Sequence, residues 1–120
     1  MNKKLIDKVI VGADRITKTG HIFNKIGTYQ IAVLAKKHHI PFYVAAPLST
    51  FDFESDWHNI VIEERNIEEI IKIRGRRIAP KGVRIFNPVF DITPPDLVTA
   101  IVTERGIINP EFKNSIPKMV

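Results

Sequence analysis

Two runs set the reading of this chain: Val9-Ile10-Val11-Gly12-Ala13-Asp14 near its start, and Pro41-Phe42-Tyr43-Val44-Ala45-Ala46 further on. The first is β-branched, apolar and closed by a glycine, so Leu5 to Gly12 reads as a buried strand. The second is aromatic and β-branched behind a proline, and reads as another strand. Between them, Arg15 to Phe23 reads as a polar loop and Asn24 to His38 as a helix. Ile26, Tyr29, Ala32 and Val33 form one apolar face, which Ile31, Leu34 and Ala35 widen. A helix apolar over so much of its circumference is predicted to be largely buried. Asn24 suits its N-cap. Strand, helix and strand in that order predict a parallel pair with a right-handed crossover.

Working outward, Ile60-Val61-Ile62 is a candidate third strand. Asn66 suits the cap of a short helix holding Ile67, Ile70 and Ile71, and Val83 to Phe86 reads as extended. Thr93-Pro94-Pro95-Asp96 is a helix-start signal, with proline at the first helical position and an acid in the first turn. That helix is expected to run through Leu97, Val98, Ile101 and Val102 and to stop at Gly106. Ile107-Ile108 adds a last strand, and the chain from Pro110 reads as loose. The expected fold class is α/β, an open, mostly parallel Rossmann-like sheet flanked by helices. One domain spans residues 1–110, with a loose tail over 111–120. No GxGxxG fingerprint is present, so dinucleotide binding is not supported.

A chain of 120 residues is enough for one compact domain with an apolar core. The 44% hydrophobic and 26% charged content is that of a globular protein. No apolar run approaches the ~18 residues of a membrane span. Met1-Asn2-Lys3-Lys4 is followed by Asp7 and Lys8 rather than by an apolar stretch, which argues against a secretory signal and for the cytoplasm. The sequence contains no cysteine, which removes disulfides, thiolate metal sites and cysteine nucleophiles together. The net charge of +5 attracts anions in general. The one tight basic run, Arg74-Gly75-Arg76-Arg77 with Lys81 and Arg84 nearby, reads as a solvated turn before it reads as a phosphate or RNA patch. No nucleic-acid motif accompanies it, and nucleic acid is not an expected partner.

In an open parallel sheet, ligands bind beyond the carboxyl ends of the strands. Asp14 follows the first strand and is placed at that rim. The helix beginning near Asn24-Lys25-Ile26-Gly27-Thr28 offers free N–H groups and a partial positive charge, and Lys25 adds a full one. The expected picture is a carboxyl group facing the positive end of the next helix across a shared hollow. That pairing suits proton transfer on a sugar anchored by its phosphate. The plainer alternatives are that Asp14 is a turn residue, Asn24 a cap and Lys25 a solvated side chain.

Taken together, several blocks resemble the methylthioribose-1-phosphate isomerase family. They are Gly12-Ala13-Asp14-Arg15-Ile16, Asn24-Lys25-Ile26-Gly27-Thr28-Tyr29, Pro41 to Thr50, Ile62-Glu63-Glu64-Arg65, Arg77-Ile78-Ala79-Pro80, Asn87 to Pro94 and Thr103-Glu104-Arg105-Gly106. The resemblance extends from Val9 to Gly106 and keeps the blocks in order. Ribose-1,5-bisphosphate isomerases and the regulatory subunits of a translation-factor exchange complex share part of it, chiefly Asn24 to Thr28 and the strand from Pro41. The stretches Ala46 to Thr50 and Asn87 to Pro94 favour the methylthioribose branch.

The resemblance implies that Asp14 is the catalytic acid and that Asn24 and Lys25 bind substrate. It implies conversion of S-methyl-5-thioribose 1-phosphate to S-methyl-5-thioribulose 1-phosphate in methionine salvage, with no metal or organic cofactor. C1 is blocked by phosphate, so the ring cannot open as a free sugar does. A carboxyl in a dry pocket would help, because burial disfavours the charged form and keeps a proton available. The family also implies a catalytic cysteine, an Arg-Gly-Ala phosphate loop, an arginine and a glutamine in a preceding part, and none of these blocks occurs here. The chain therefore resembles a C-terminal half, completed by a missing N-terminal half or working as a homodimer. A non-enzymatic regulatory subunit and a pure oligomerisation module remain as alternatives.

Other residues have plainer readings. His38-His39 suit a helix C-terminus, and His21 and His58 lack metal-ligand spacing. Trp57, Phe51 and Phe53 read as packing, a lid or a dimer contact. Glu63, Glu64 and Arg65 read as ion pairs or as support for the site. Asp91, at a strand end, either supports the site or caps backbone amides.

Overall fold

The computed structural model describes residues 1–119. In chain order come strands β1 (Val9–Val11), β2 (Arg15–Thr17) and β3 (Ile22–Lys25), helix α1 (Thr28–Lys37), strand β4 (Phe42–Ala45), a 3-10 turn at Leu48–Thr50 and strand β5 (Phe51–Asp52). A 3-10 turn at Trp57–Asn59 follows, then helix α2 (Glu68–Ile71) and the short strands β6 (Lys72–Ile73) and β7 (Arg76–Arg77). Strand β8 (Phe90–Thr93), a 3-10 turn at Pro95–Leu97, strands β9 (Ala100–Thr103) and β10 (Gly106–Ile108), and helix α3 (Phe112–Ser115) complete the order before a last turn at Ile116–Met119.

The fold is mixed α/β. One sheet has the order β1-β4-β9-β10. β1 and β9 both run parallel to β4, with Val11 opposite Val44 and Val44 opposite Ile101, while β10 is antiparallel to β9. The β-branched runs predicted β1 and β4, and Phe42 and Val44 are buried in β4, but β1 is only Val9–Val11 and is not a buried strand, since Ile10 faces solvent. The second sheet, β5-β2-β3-β8, was not expected. Its β2–β3 and β3–β8 pairs are antiparallel, so "mostly parallel" describes the first sheet alone. The stretch Arg15 to Phe23 is a hairpin rather than a polar loop. Ile16 and Ile22 are fully buried, and the polar residues at its tip satisfy one another through Thr17, Thr19 and His21.

Three further expectations are corrected. No helix follows Thr93: the two prolines give only a 3-10 turn, and Ala100 to Val102 are drawn into the sheet beside β4. The apolar positions 97, 98, 101 and 102 fit either element, and backbone pairing with β4 decides between them. Ile60-Val61-Ile62 forms no strand. Helix α1 starts at Thr28 after Gly27, not at Asn24, and it is not largely buried. Its inward residues are small, Thr28, Ala32 and Ala35, while Tyr29, Ile31, Val33 and Leu34 are 39–46% exposed.

The segment read as a loose tail packs into the core, where Phe112 and Ile116 are 2% and 1% exposed. Gly20, at φ 84°, makes room for it: a Cβ there would lie 2.6 Å from Cβ of Phe112. Truncating so large a buried side chain leaves a cavity. Phe112→Ala is therefore expected to lower stability by about 3–5 kcal/mol in urea titration, and a change below about 1 kcal/mol would place the segment outside the cooperative core.

Candidate functional site

The carboxyl ends of β1, β4 and β9 converge on one edge of the first sheet. Beyond β1 the chain turns through Gly12 and Ala13 to Asp14, whose N–H donates to the Phe23 carbonyl at 2.8 Å. Beyond β4 come Pro47 and the 3-10 turn at Leu48–Thr50. Beyond β9, Glu104 reaches back, and both its carboxylate oxygens accept from the Leu48 N–H at 3.0 and 3.2 Å. Two open clefts meet at Asp14 and Arg15. The larger, of about 480 Å³, is lined further by Ser49, Thr50, Phe51, Asp52, Phe53 and Glu54. The smaller, of about 290 Å³, is lined further by Phe23, Ile60, Val61, Ile62, Glu63 and Phe90, so one side of it carries apolar side chains.

Asp14 is thus at the strand rim, but the dry pocket is not formed by these residues: Asp14 is exposed. Asn24 and Lys25 lie on β3, and neither lines the two clefts. Asn24 is half-buried, and its side-chain amide donates to Thr28 Oγ1 at 3.0 Å. Lys25 is exposed. Asn24 is therefore not the helix N-cap.

The expected hollow at the positive end of α1 is filled by a side chain. Gly27 N–H donates to Asp91 Oδ2 at 2.7 Å, and Tyr29 N–H donates to both carboxylate oxygens at 3.1 and 3.2 Å. Asp91 comes from β8, directly across from Asn24. Of its two readings, the structure selects the cap. Gly27 adopts φ 107°, a left-handed conformation that presents its N–H to that carboxylate and suits glycine.

Arg15 and Glu104 stood inside recognised blocks with no role assigned. Arg15 Nη1 pairs with Asp52 Oδ2 at 3.1 Å. Hydrogen bonds from Ser55, the backbone N–H first, hold the Asp52 carboxyl below its usual range, with Glu54 N–H and the Arg15 charge adding to them. Trp57 stacks on His21 (centroids 4.5 Å apart, 18° between planes) and lies 3.7 Å from the ring of His58. Among the described residues there is no group of three or more His, Asp or Glu that could hold a metal ion, and no helix is long and apolar enough to cross a membrane.

These features define an α/β domain with an acid-bearing cleft at the carboxyl edge of its parallel strands. The model of the initiation factor 2 subunit family matches residues 1–110, and the chain belongs to that family. It is 60% identical over 116 residues to a methylthioribose-1-phosphate isomerase of Dehalococcoides mccartyi, covering 95% of this chain and 34% of that protein. Its backbone superposes with a TM-score of 0.91 on 5-methylthioribose 1-phosphate isomerase from Pyrococcus horikoshii OT3, at 48% identity over 98% of this chain and 33% of the other. The score is also 0.91 for subunit delta of translation initiation factor eIF-2B from A. fulgidus, at 53% identity over 98% of this chain and 34% of that one. The chain spans about a third of the length of the relatives it matches.

Two predictions follow from this geometry. Asp91→Ala strips the α1 amides of their acceptor and is expected to cost about 1–2 kcal/mol in chemical denaturation. Stability unchanged to within about 0.3 kcal/mol would mean the cap is redundant. Burial, then the nearby His58, holds the His21 pKa below 6.5, against smaller opposing pulls from Asp56 and Asp96. As pH falls through about 6.5 the unfolded chain binds its proton first, so stability drops on acidification from there to the folded-state value. Urea midpoints between about pH 8 and 5.5 are expected to fall less in His21→Gln than in the native chain, and equal slopes would exclude His21 as the cause.

Proposed function

We propose that the chain is the Asp14-bearing C-terminal part of a methylthioribose-1-phosphate isomerase, with the β1-β4-β9 strands as its Rossmann-like element. The reaction is the conversion of S-methyl-5-thioribose 1-phosphate to S-methyl-5-thioribulose 1-phosphate, a step of methionine salvage in the cytoplasm. The observation that carries the proposal is the place of Asp14: just past the first parallel strand, where two clefts meet, in a chain 60% identical to a protein of that name.

Aldose–ketose isomerisation transfers a proton between neighbouring carbons and needs an acid or base within reach of the sugar. Asp14 fills that role as an acid in ring opening and proton transfer. Asn24 and Lys25, one strand away, bind the substrate's polar groups. The apolar side of the smaller cleft, Ile60 to Ile62 with Phe23 and Phe90, suits a methylthio group better than the second phosphate of a ribose 1,5-bisphosphate. No cofactor is called for. The exposed position of Asp14 and the outward apolar face of α1 support a site closed by further protein, either the missing N-terminal half or a second copy in a homodimer. The chain alone is expected to be inactive.

The test is a complex of this chain with a protein carrying the remaining two-thirds of the family's length. Asp14→Asn is expected to lower turnover by about 10²–10⁴-fold while sugar-phosphate binding persists. The structural likeness to an initiation-factor subunit favours a second reading, a regulatory subunit that binds sugar phosphate or nucleotide without turnover. Binding by a well-folded complex that shows no isomerisation, and is indifferent to Asp14→Asn, would select that reading.

A further inference from the structure

The chain that runs from one cleft to the other is a strap. Residues 49–54 line the larger cleft and residues 60–63 the smaller, so the turn at Trp57–Asn59 joins one wall to the next. The start of the strap is tied down: Asp52 Oδ1 accepts from Glu54 and Ser55 N–H at 3.1 and 2.9 Å, and the Asp52 carbonyl accepts from Lys18 N–H at 3.1 Å. From Asp56 to Asn59 the hydrogen bonds stay within the turn. Asp56 Oδ1 accepts from His58 N–H at 3.0 Å and lies 2.7 Å from His58 Nδ1, and the Asp56 carbonyl accepts from Asn59 N–H at 3.0 Å. The contact that joins this turn to the β2–β3 hairpin is the stack of Trp57 on His21.

His21 is held in that stack by a relay of hydroxyls. Its own N–H donates to Thr17 Oγ1 at 3.1 Å, Thr17 Oγ1 lies 3.0 Å from Thr19 Oγ1, and Thr19 Oγ1 lies 2.9 Å from His21 Nδ1. With a neutral ring the relay closes: Thr17 donates to Thr19, and Thr19 donates to the Nδ1 lone pair. A protonated ring carries a donor at Nδ1, so Thr19 must accept there and turn its own proton to Thr17. The Thr17 hydroxyl is fully buried. Among the described residues its hydrogen-bond partners are Thr19 and the His21 N–H. Its proton is then left without an acceptor, which is costly in a buried place. The other groups near the ring act in the same net direction: burial first and then His58 disfavour a charge on His21, against smaller pulls from Asp56 and Asp96. Lys18, beside His21 on the hairpin, sends its ammonium to the Glu54 carbonyl at 3.5 Å.

We propose that Thr17, Thr19, His21 and Trp57 form a pH-sensitive clamp: the neutral His21 ring holds the strap between the two clefts, and protonation of His21 releases it while the rest of the domain stays folded. The clamp is independent of which reaction the clefts serve.

Trp57 is the only tryptophan in the sequence, so its fluorescence reports the strap directly. On acidification from about pH 8 to 5 its emission is expected to shift to the red with a midpoint below about 6.5, the ordinary histidine value, while far-UV circular dichroism is unchanged. His21→Phe keeps a flat ring that cannot titrate, and the transition is expected to vanish. His58→Gln removes the exposed neighbour and is expected to keep it. Thr19→Val breaks the relay, frees Nδ1 to take a proton, and is expected to raise the midpoint by roughly 0.5–1 pH unit. A ring that merely packs predicts no shift in Thr19→Val, and that result overturns the proposal. So does a transition that survives His21→Phe or disappears in His58→Gln, or one that coincides with loss of the circular dichroism signal. A midpoint above 6.5 in the native chain also overturns it, because attraction of the imidazolium to the indole face would then tighten the stack.

Discussion

The grip of the Asp91 carboxylate on the Gly27 and Tyr29 amides organises this domain. It joins residues 62 to 64 apart in sequence. It also locks the β3–β8 pairing to the start of α1, where Asn24 faces Asp91 across the sheet. A helix N-terminus carries a fractional positive charge and unpaired donors, and a carboxylate supplied from within the chain neutralises both. The consequence reaches the site. With the helix end satisfied internally, the hollow expected there is closed, and the open clefts lie instead at the strand rim beside Asp14 and Arg15.

Helix α1 follows a second constraint. Its inner face is Thr28, Ala32 and Ala35 because it lies close against β4 and β8, where larger side chains do not fit. The bulky apolar residues are left on the outside, with Tyr29 at 46% and Leu34 at 42% exposure. Burying such side chains contributes about 1.5–3 kcal/mol each, so a second surface laid on this face gains substantially. Ile10 and Ile107, exposed on strands of the first sheet, add to the same debt of uncovered apolar surface. These exposures fit a domain that spans a third of its relatives' length.

The legible parts of the fold were those where one local rule decided the outcome. The runs at Val9 and Phe42 are strands under any packing, and Ile107-Ile108 lies in the last strand, though Gly106, read as a helix stop, opens that strand instead. The unread parts needed distant partners. Thr93-Pro94-Pro95-Asp96 gives a helix signal that is locally correct for one 3-10 turn, and pairing with β4 then overrides it. Thr93 itself ends as a fully buried strand residue whose hydroxyl has no partner, the opposite of a cap. At the site, the position of Asp14 followed from strand order and the convergence of parallel strands. The partnership of Arg15 with Asp52 did not, because it depends on β5 lying beside β2.

The exposure of Asp14 bears on its chemistry. Proton transfer to a sugar is effective only when water is excluded and the geometry is held. Three anchors already hold the rim: Asp14 N–H on Phe23, Glu104 on Leu48, and Asp52 on Ser55. The frame around the carboxyl is therefore fixed before any ligand arrives, and what the frame lacks is a roof. The apolar outer face of α1 and the uncovered edges of the clefts mark where such a roof would bear on this domain. The same covering protein would thus bury apolar surface and dry the acid.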